Sequence, residues 1–272
     1  MANEALEFLR QEHLPHIWCP GCGHGIILGA VLRAIKSVQL DRERTVLVSG
    51  IGCSSRAVGY ADFDTLHTTH GRALAFATGI KLARPDLNVV VIAGDGDLTA
   101  IGGNHFLHAA RRNIGLTTIC FNNQIYGMTS GQASPMTPVG ALATTAPHGT
   151  IDAPFDLSRL AEAAGATYVA RGTAVQVRGL QGLIEKALRH PGFSFVEALS
   201  TCPTYYGGKN RVGNGAAMLR AQSENAVNIR QARELPPEEL VGKVVVGEFV
   251  NRVAPEFAAS YAELVQRLQG EG

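Results

Sequence analysis

The chain has 272 residues, with 24 Lys and Arg against 23 Asp and Glu, for a net charge of +1. That balance argues against a nucleic-acid or polyanion binder. No apolar run approaches the ~18 residues of a membrane span. At 46% hydrophobic residues, the length suits one large α/β domain or two small ones.

The charged start, MANEALEFLRQEH, has no apolar signal core, so a cytoplasmic protein is expected. In that compartment the five cysteines read as free thiols or metal ligands rather than disulfides. In chain order, residues 25–38 place Ile26, Leu28, Val31, Leu32 and Ile35 at helical spacing. Residues 45–52 (TVLVSGIG) read as a short buried strand ending in Gly, and 71–84 as a helix rich in small residues. Residues 87–97 form an apolar strand running into a Gly loop, 98–113 a helix, and 115–123 the next strand. Residues 156–166 read as a helix with Asp156 as its N-cap. The strands TYVARGTA and FSFVEALS flank the helix VRGLQGLIEKALRH. Residues 124–155 carry Gly, Pro, Thr and Ser without periodicity, as a long functional loop does.

Strands alternating with helices imply an α/β fold with a doubly wound, mainly parallel sheet. Its ligands would sit at the carboxyl ends of the strands. The pattern weakens after residue 202. We therefore expect a main domain over 1–202 and a C-terminal extension over 203–272, holding a strand in VGKVVVGEFV and a terminal helix. The extension would pack on the same domain or on a partner subunit.

VVVIAGDGDLTAIGG puts Gly94-Asp95-Gly96 at a strand end directly before a helix. The glycines let backbone approach a diphosphate, and the helix N-terminus favours its charge. Asp95 would repel phosphates unless Mg²⁺ lay between them. One βα unit later the next strand ends in FNNQIYG, which offers the Asn123 amide oxygen and the Ile125 carbonyl.

Cys19 and Cys22 in HIWCPGCGHG admit several chemistries. Covalent haem needs a His directly after the second Cys, and a thioredoxin dithiol follows a strand. Neither pattern is present. Structural zinc and an iron–sulfur cluster both remain open, because four thiolates suit either. Cys53 and Cys202 each sit just past a strand end, whereas Cys120 lies inside a strand and reads as core.

Taken together, GDG, NN and YGMTSGQASP resemble the thiamine diphosphate motif of the β subunits of 2-oxoacid:ferredoxin oxidoreductases. The resemblance covers about residues 15 to 210 and implies a sheet of the thiamine diphosphate-binding type. It implies that Asp95, Asn123 and the Ile125 carbonyl hold Mg²⁺. Gly94, Gly96, Asp97, Tyr126, Gly127, Met128 and Thr129 would surround the diphosphate. Ile51, Gly52, Ser54 and Ser55, in the loop around Cys53, would also face the cofactor. Where the family often has TGGQ, this chain has Thr129-Ser130-Gly131-Gln132. The motifs around Cys19, Cys22, Cys53 and Cys202 match those that supply one 4Fe–4S cluster.

Arg56 is suited to a substrate carboxylate and favours a dicarboxylate such as 2-oxoglutarate. His70, in HTTHGR, and His24, after the cysteine loop, are candidate cofactor contacts. The implied reaction converts a 2-oxoacid and coenzyme A to acyl-CoA and CO₂, with electrons passed through the cluster to ferredoxin. Pyruvate or a branched-chain acid is the alternative substrate. No second thiamine-type domain is evident in the sequence; the resemblance implies that a larger α subunit supplies it, in an αβ enzyme expected to assemble as (αβ)₂. The competing readings are a non-redox thiamine enzyme with structural zinc, and a non-catalytic metal-binding module.

Overall fold

The computed structural model describes residues 5–270. An eight-stranded sheet runs through the molecule in the order β2-β1-β3-β4-β8-β7-β10-β9. Its six parallel strands are β1 (Thr45–Ser49), β2 (Asp64–His67), β3 (Asn88–Gly94), β4 (Thr117–Asn122), β7 (Tyr168–Thr173) and β8 (Ser194–Leu199). β10 (Val244–Asn251) joins antiparallel to β7, and β9 (Ala226–Asn228) pairs parallel with β10. The last two strands, from the C-terminal stretch, thus extend the same sheet.

Strand β4 is buried at every position, as is all but the ends of β3. Such strands read as unbroken apolar runs because helices cover both sheet faces. On one face Leu47, Ile92, Ile119 and Phe121 pack with α1 (His24–Ser37), α2 (Ala57–Tyr60) and α6 (Val177–Arg189). On the other, Val48, Val91, Cys120 and Phe195 meet α3 (Ala73–Ala83), α4 (Gly103–Arg111) and α5 (Leu157–Ala163). Ile27, Leu32 and Ile35 of α1 have no exposed surface, a burial worth roughly 1.5–3 kcal/mol each. Asp156 caps α5 as expected, accepting from the N–H groups of Ser158 and Arg159.

Three local expectations change. Edge strand β2 was not anticipated, because only its two middle residues are even half-buried. The helix expected over 98–113 begins as a wide π-type turn, Asp97–Ile101, before α4. The stretch 124–155 contains a small ribbon, β5 (Ile125–Tyr126) against β6 (Gln132–Ala133). Beyond β8 lie a π-type turn at Pro203–Gly207, α7 (Gly215–Asn225), α8 (Ile229–Ala232) and the terminal α9 (Phe257–Gly270). No helix among the described residues is long and apolar enough to cross a membrane.

The chain leaves β1 outward to β2, then crosses back to β3 on the other side of β1. Two loops therefore part at the carboxyl ends of β1 and β3. In open α/β sheets that switch point is where a crevice forms.

Candidate active site

A cleft of about 360 Å³ occupies that crevice. Its walls are Ile51, Gly52, Cys53 and Ser54 after β1, Gly94 to Asp97 after β3, and Asn123 with Ile125 to Thr129 after β4. His24, His70, Phe121 and Gln132 line it as well. Sequence-predicted residues from five separate segments thus meet in one place. Ser55 and Arg56 do not line the cleft. They belong to a tight turn, Ser54–Arg56, that leads into α2. The turn buries Ser55, whose carbonyl accepts from the Ser49 hydroxyl (3.2 Å), and leaves Arg56 exposed.

Three oxygens converge at the ends of β3 and β4. Asn123 Oδ1 lies 2.7 Å from the Ile125 carbonyl and 3.3 Å from Asp95 Oδ1. Oxygens that face one another repel, unless the amide rotates or a cation sits among them. Asp95 is 2% exposed. Burial pushes its carboxyl up to about 7, against the pull of the Ser134 hydroxyl bonded to it at 2.5 Å. A buried carboxylate with two neutral oxygens is a donor set for a hard divalent cation. The glycines beside it leave no room for side chains. A Cβ on Gly94 would lie 2.8 Å from Ser54 Oγ, and one on Gly96 would collide with the Tyr126 ring. The Tyr126 hydroxyl donates to the Gly96 carbonyl at 3.1 Å. These residues fit a diphosphate–Mg²⁺ group by donor type and by backbone access.

Asp97 stitches the cleft together. Its Oδ1 accepts from Gly71 N (2.7 Å) and Ile51 N (3.3 Å) and lies 2.7 Å from His70 Nδ1. Its Oδ2 is buried against Gly50, where any Cβ would clash. Burial pushes this carboxyl upward as well. His70 lines the cleft with Nδ1 beside Asp97. His24 is buried, with Nδ1 2.7 Å from Ser200 Oγ and its ring edge-on to Phe121. Burial lowers its pKa to about 4, so it is neutral near pH 7.

A second cavity, about 200 Å³, is ringed by Cys19, Cys22, Cys53 and Cys202. Cys120 is buried in β4, in the apolar core. Burial, with the other cysteines' charges adding, raises Cys22 to about 12 and Cys53 to about 11. Arg56 pulls Cys53 slightly the other way, so its charge is felt at the thiol. Trp18 Nε1 donates to the Cys53 carbonyl (2.7 Å), and Thr201 Oγ1 to the Gly21 carbonyl (3.1 Å). Those two bonds join the three cysteine-bearing loops. Gly21 has φ +81° and packs on Gly215 of α7, whose Cβ would lie 2.6 Å from Gly21 Cα. Among the described residues no three His, Cys, Asp or Glu groups sit close enough for a single metal ion. Zinc with Zn–S bonds of about 2.3 Å needs its thiolates nearly in contact. Thiols spread around a cavity suit a larger, multi-iron group.

The two cavities share a wall. Cys53, Asn123, Gly127 and Met128 line both. A Cβ on Gly127 would lie 3.5 Å from Cys53 Sγ, 3.6 Å from Cys202 Sγ and 3.7 Å from Asn123 Nδ2.

A family model described as the thiamine pyrophosphate enzyme C-terminal TPP-binding domain matches residues 50–198. The 2-oxoglutarate synthase subunit KorB of Methanocaldococcus jannaschii is 53% identical over 269 residues, covering 99% of this chain and 100% of that one. Its counterpart from Methanothermobacter marburgensis is 51% identical, covering 99% and 94%. This chain belongs to the β subunits of the 2-oxoacid:ferredoxin oxidoreductases. A solved member of that group, 2-oxoglutarate:ferredoxin oxidoreductase from Magnetococcus marinus with 2-oxoglutarate, coenzyme A and succinyl-CoA bound, aligns with a TM-score of 0.87. It is 36% identical, over 98% of this chain and 91% of that one. The thiamine-enzyme α/β fold expected of a 2-oxoacid:ferredoxin oxidoreductase β subunit is therefore the one observed.

Sequence reasoning missed several groups at these sites. Ser134, Gln132 and Phe121 touch the cleft or Asp95, and Trp18 braces Cys53. The one signal for Ser134 and Gln132 was the long Gly- and Ser-rich stretch that carries them.

Proposed function

We propose that this chain, with a larger α subunit, oxidatively decarboxylates 2-oxoglutarate to succinyl-CoA and CO₂ and passes the electrons through one 4Fe–4S cluster to ferredoxin. The wall shared by the cleft and the cysteine cavity carries this reading, because an electron acceptor held by the four cysteines would then lie beside the cofactor. The names of the relatives and of the solved neighbour favour 2-oxoglutarate over pyruvate and branched-chain acids. A cytoplasmic enzyme assembled as (αβ)₂ fits the even charge and the exposed apolar residues Ile51 and Met128 at the cleft. Residues 203–272 would act as an extension bracing the cysteine loop through α7.

Bound thiamine diphosphate supplies the chemistry that decarboxylates a 2-oxoacid, and the protein positions and tunes it. Asp95, Asn123 Oδ1 and the Ile125 carbonyl would hold Mg²⁺. The Gly94–Gly96 backbone and the Tyr126–Thr129 loop would surround the diphosphate. His70, oriented by Asp97, would present Nε2 as a proton-holding group at the reacting end. His24, kept neutral by burial, would fill the cleft floor without adding charge. Cys19, Cys22, Cys53 and Cys202 would hold the cluster, with Arg56 offsetting thiolate charge at Cys53.

Anaerobic co-expression with the α subunit tests the proposal. Purified complex should contain iron and sulfide together, and its visible cluster absorbance should bleach on adding 2-oxoglutarate with coenzyme A. Zinc in place of iron, or no bleaching with any 2-oxoacid, would overturn it.

A further inference from the structure

A buried polar relay lies under the cation-site turn, on the side away from the cleft. Glu197 of β8 is 1% exposed and Asn122, the last residue of β4, is equally buried. Asn122 Nδ2 donates to Glu197 Oε1 at 2.7 Å, and Gln124 N donates to Asn122 Oδ1 at 3.0 Å. Glu197 Oε2 accepts from Arg171 Nε at 2.7 Å and from the Ser158 hydroxyl at 3.4 Å. Arg171 in turn donates through Nη2 to Asp156. Gln124 has φ +62°, a left-handed turn that needs holding, and its carbonyl accepts from Thr137 Oγ1 at 2.6 Å. On either side of it stand Asn123 and Ile125, and Asn123 Oδ1 lies beside both the Ile125 carbonyl and Asp95 Oδ1.

The relay has a direction. A carboxylate only accepts, so Glu197 forces the NH₂ end of Asn122 toward β8. That leaves Asn122 Oδ1 free to accept the Gln124 N–H, and the bond fixes the turn that aims Asn123 and the Ile125 carbonyl. An amide at position 197 would give its oxygen to Arg171 and its NH₂ to Asn122. Asn122 would then have to reverse, and its NH₂ would face the Gln124 N–H. We propose that Glu197 is a positioning residue for the cofactor's divalent cation, acting through the amide orientation of Asn122. The inference rests on the reading of Asp95, Asn123 and Ile125 as the cation site.

The same logic gives a compensating pair. In Glu197→Gln with Asn122→Asp, the new amide donates to one aspartate oxygen while the other accepts from Gln124 N–H. The order of donors and acceptors is restored. The experiment uses the complex with the α subunit, stripped of thiamine diphosphate and Mg²⁺. Mg²⁺ is titrated at fixed thiamine diphosphate and cofactor binding is followed by calorimetry. Glu197→Gln should raise half-saturating Mg²⁺ about tenfold or more. Asn122→Asp alone, which sets two carboxylates face to face, should also weaken it. The double variant should return to within about threefold of wild type, a coupling that independent sites do not show.

A merely structural role would lower the melting midpoint and leave the Mg²⁺ dependence unmoved. Wild-type Mg²⁺ dependence in folded Glu197→Gln, a double variant no better than the single one, or tighter Mg²⁺ binding by Asn122→Asp alone would each overturn the relay. If Glu197→Gln does not fold, the gain from Asn122→Asp to the double variant decides the question. Were wild type to bind the cofactor without Mg²⁺, the cation reading itself would fail, which is a different result.

Discussion

The cofactor cleft and the cysteine cavity share a wall but are built in opposite ways. The cleft draws its polar groups largely from the ends of neighbouring strands β1, β3 and β4, and side chain–backbone bonds fix them. Asp97 bonds to two loops at once, Ser134 holds Asp95, and Tyr126 bonds to the Gly96 carbonyl. The cysteine cavity draws on loops at residues 19–22, 53 and 202, joined by the Trp18 and Thr201 bonds. Among the described residues its lining holds no carboxylate, and burial drives Cys22 and Cys53 far above neutrality as free thiols. The cleft is thus organised for a charged ligand by the sheet itself. The cavity is an apolar ring whose thiolates would form together with the metal that binds them.

Breaking the cavity should have the largest effect. Under the proposed function, Cys202→Ser should remove the visible absorbance of the proposed cluster and abolish ferredoxin reduction. Thiamine diphosphate should still bind, because no Cys202 atom lines the cleft. Calorimetry of the variant complex checks this, and a joint loss of cofactor would show that the two sites are one unit. The reverse experiment comes next in size. Asp95→Asn keeps the shape but removes the charge of the proposed cation site, so cofactor affinity should fall by about 100-fold. Iron and sulfide content should be unchanged.

This difference in construction also explains what the sequence made legible. The βα alternation, the buried strands and the GDG–NN spacing are local patterns, and together with the family resemblance they pick out Gly94 to Asp97, Asn123 and Ile125 to Thr129, which line one cleft. Cys19, Cys22, Cys53 and Cys202 were grouped by resemblance rather than by spacing, and they do ring one cavity. Residue type and the family resemblance together point Arg56 at a substrate carboxylate. A tight turn, invisible in composition, leaves it exposed and outside the cleft. Ser134 and Glu197 were missed because their partners lie 39 and 75 residues away. Hydrogen bonds at such separations leave no periodic trace. Strand β2 escaped because an edge strand needs little apolar content.

At the cleft rim the tight loop shows one cost of this organisation. Ser130 has φ +89°, a conformation that favours Gly, and it is held by Ser130 N–H to the Gly127 carbonyl and Thr144 Oγ1 to its own carbonyl. Ser130→Gly should relieve about 1 kcal/mol of strain and raise the melting midpoint by roughly 2–4 °C. Both bonds use backbone atoms of residue 130 and survive the change. A lower midpoint in scanning calorimetry would mean that the serine side chain supports the loop.

Acid should separate the two regions by the smallest margin. Beneath the cleft, Asp156 is partly buried, which raises its pKa. Arg171, the Arg159 N–H and the Arg159 charge outweigh that, and the carboxyl ends below its ordinary value. A folded value below the unfolded value of about 3.9 means that the ionised form favours the folded chain. The stabilisation is complete above the unfolded value and is lost as pH falls through the folded one. Asp156→Asn keeps an N-cap acceptor for α5 and removes the charge. Its deficit against wild type should therefore be full near neutrality and vanish in strong acid. With the Asp156 side chain 42% exposed, solvent screening keeps that deficit below about 1 kcal/mol. Among the described residues the cysteine cavity has no carboxylate in its lining to lose. Urea unfolding of the chain at stepped pH reads the difference, and a deficit that grew toward acid would place the stabilising charge somewhere other than Asp156.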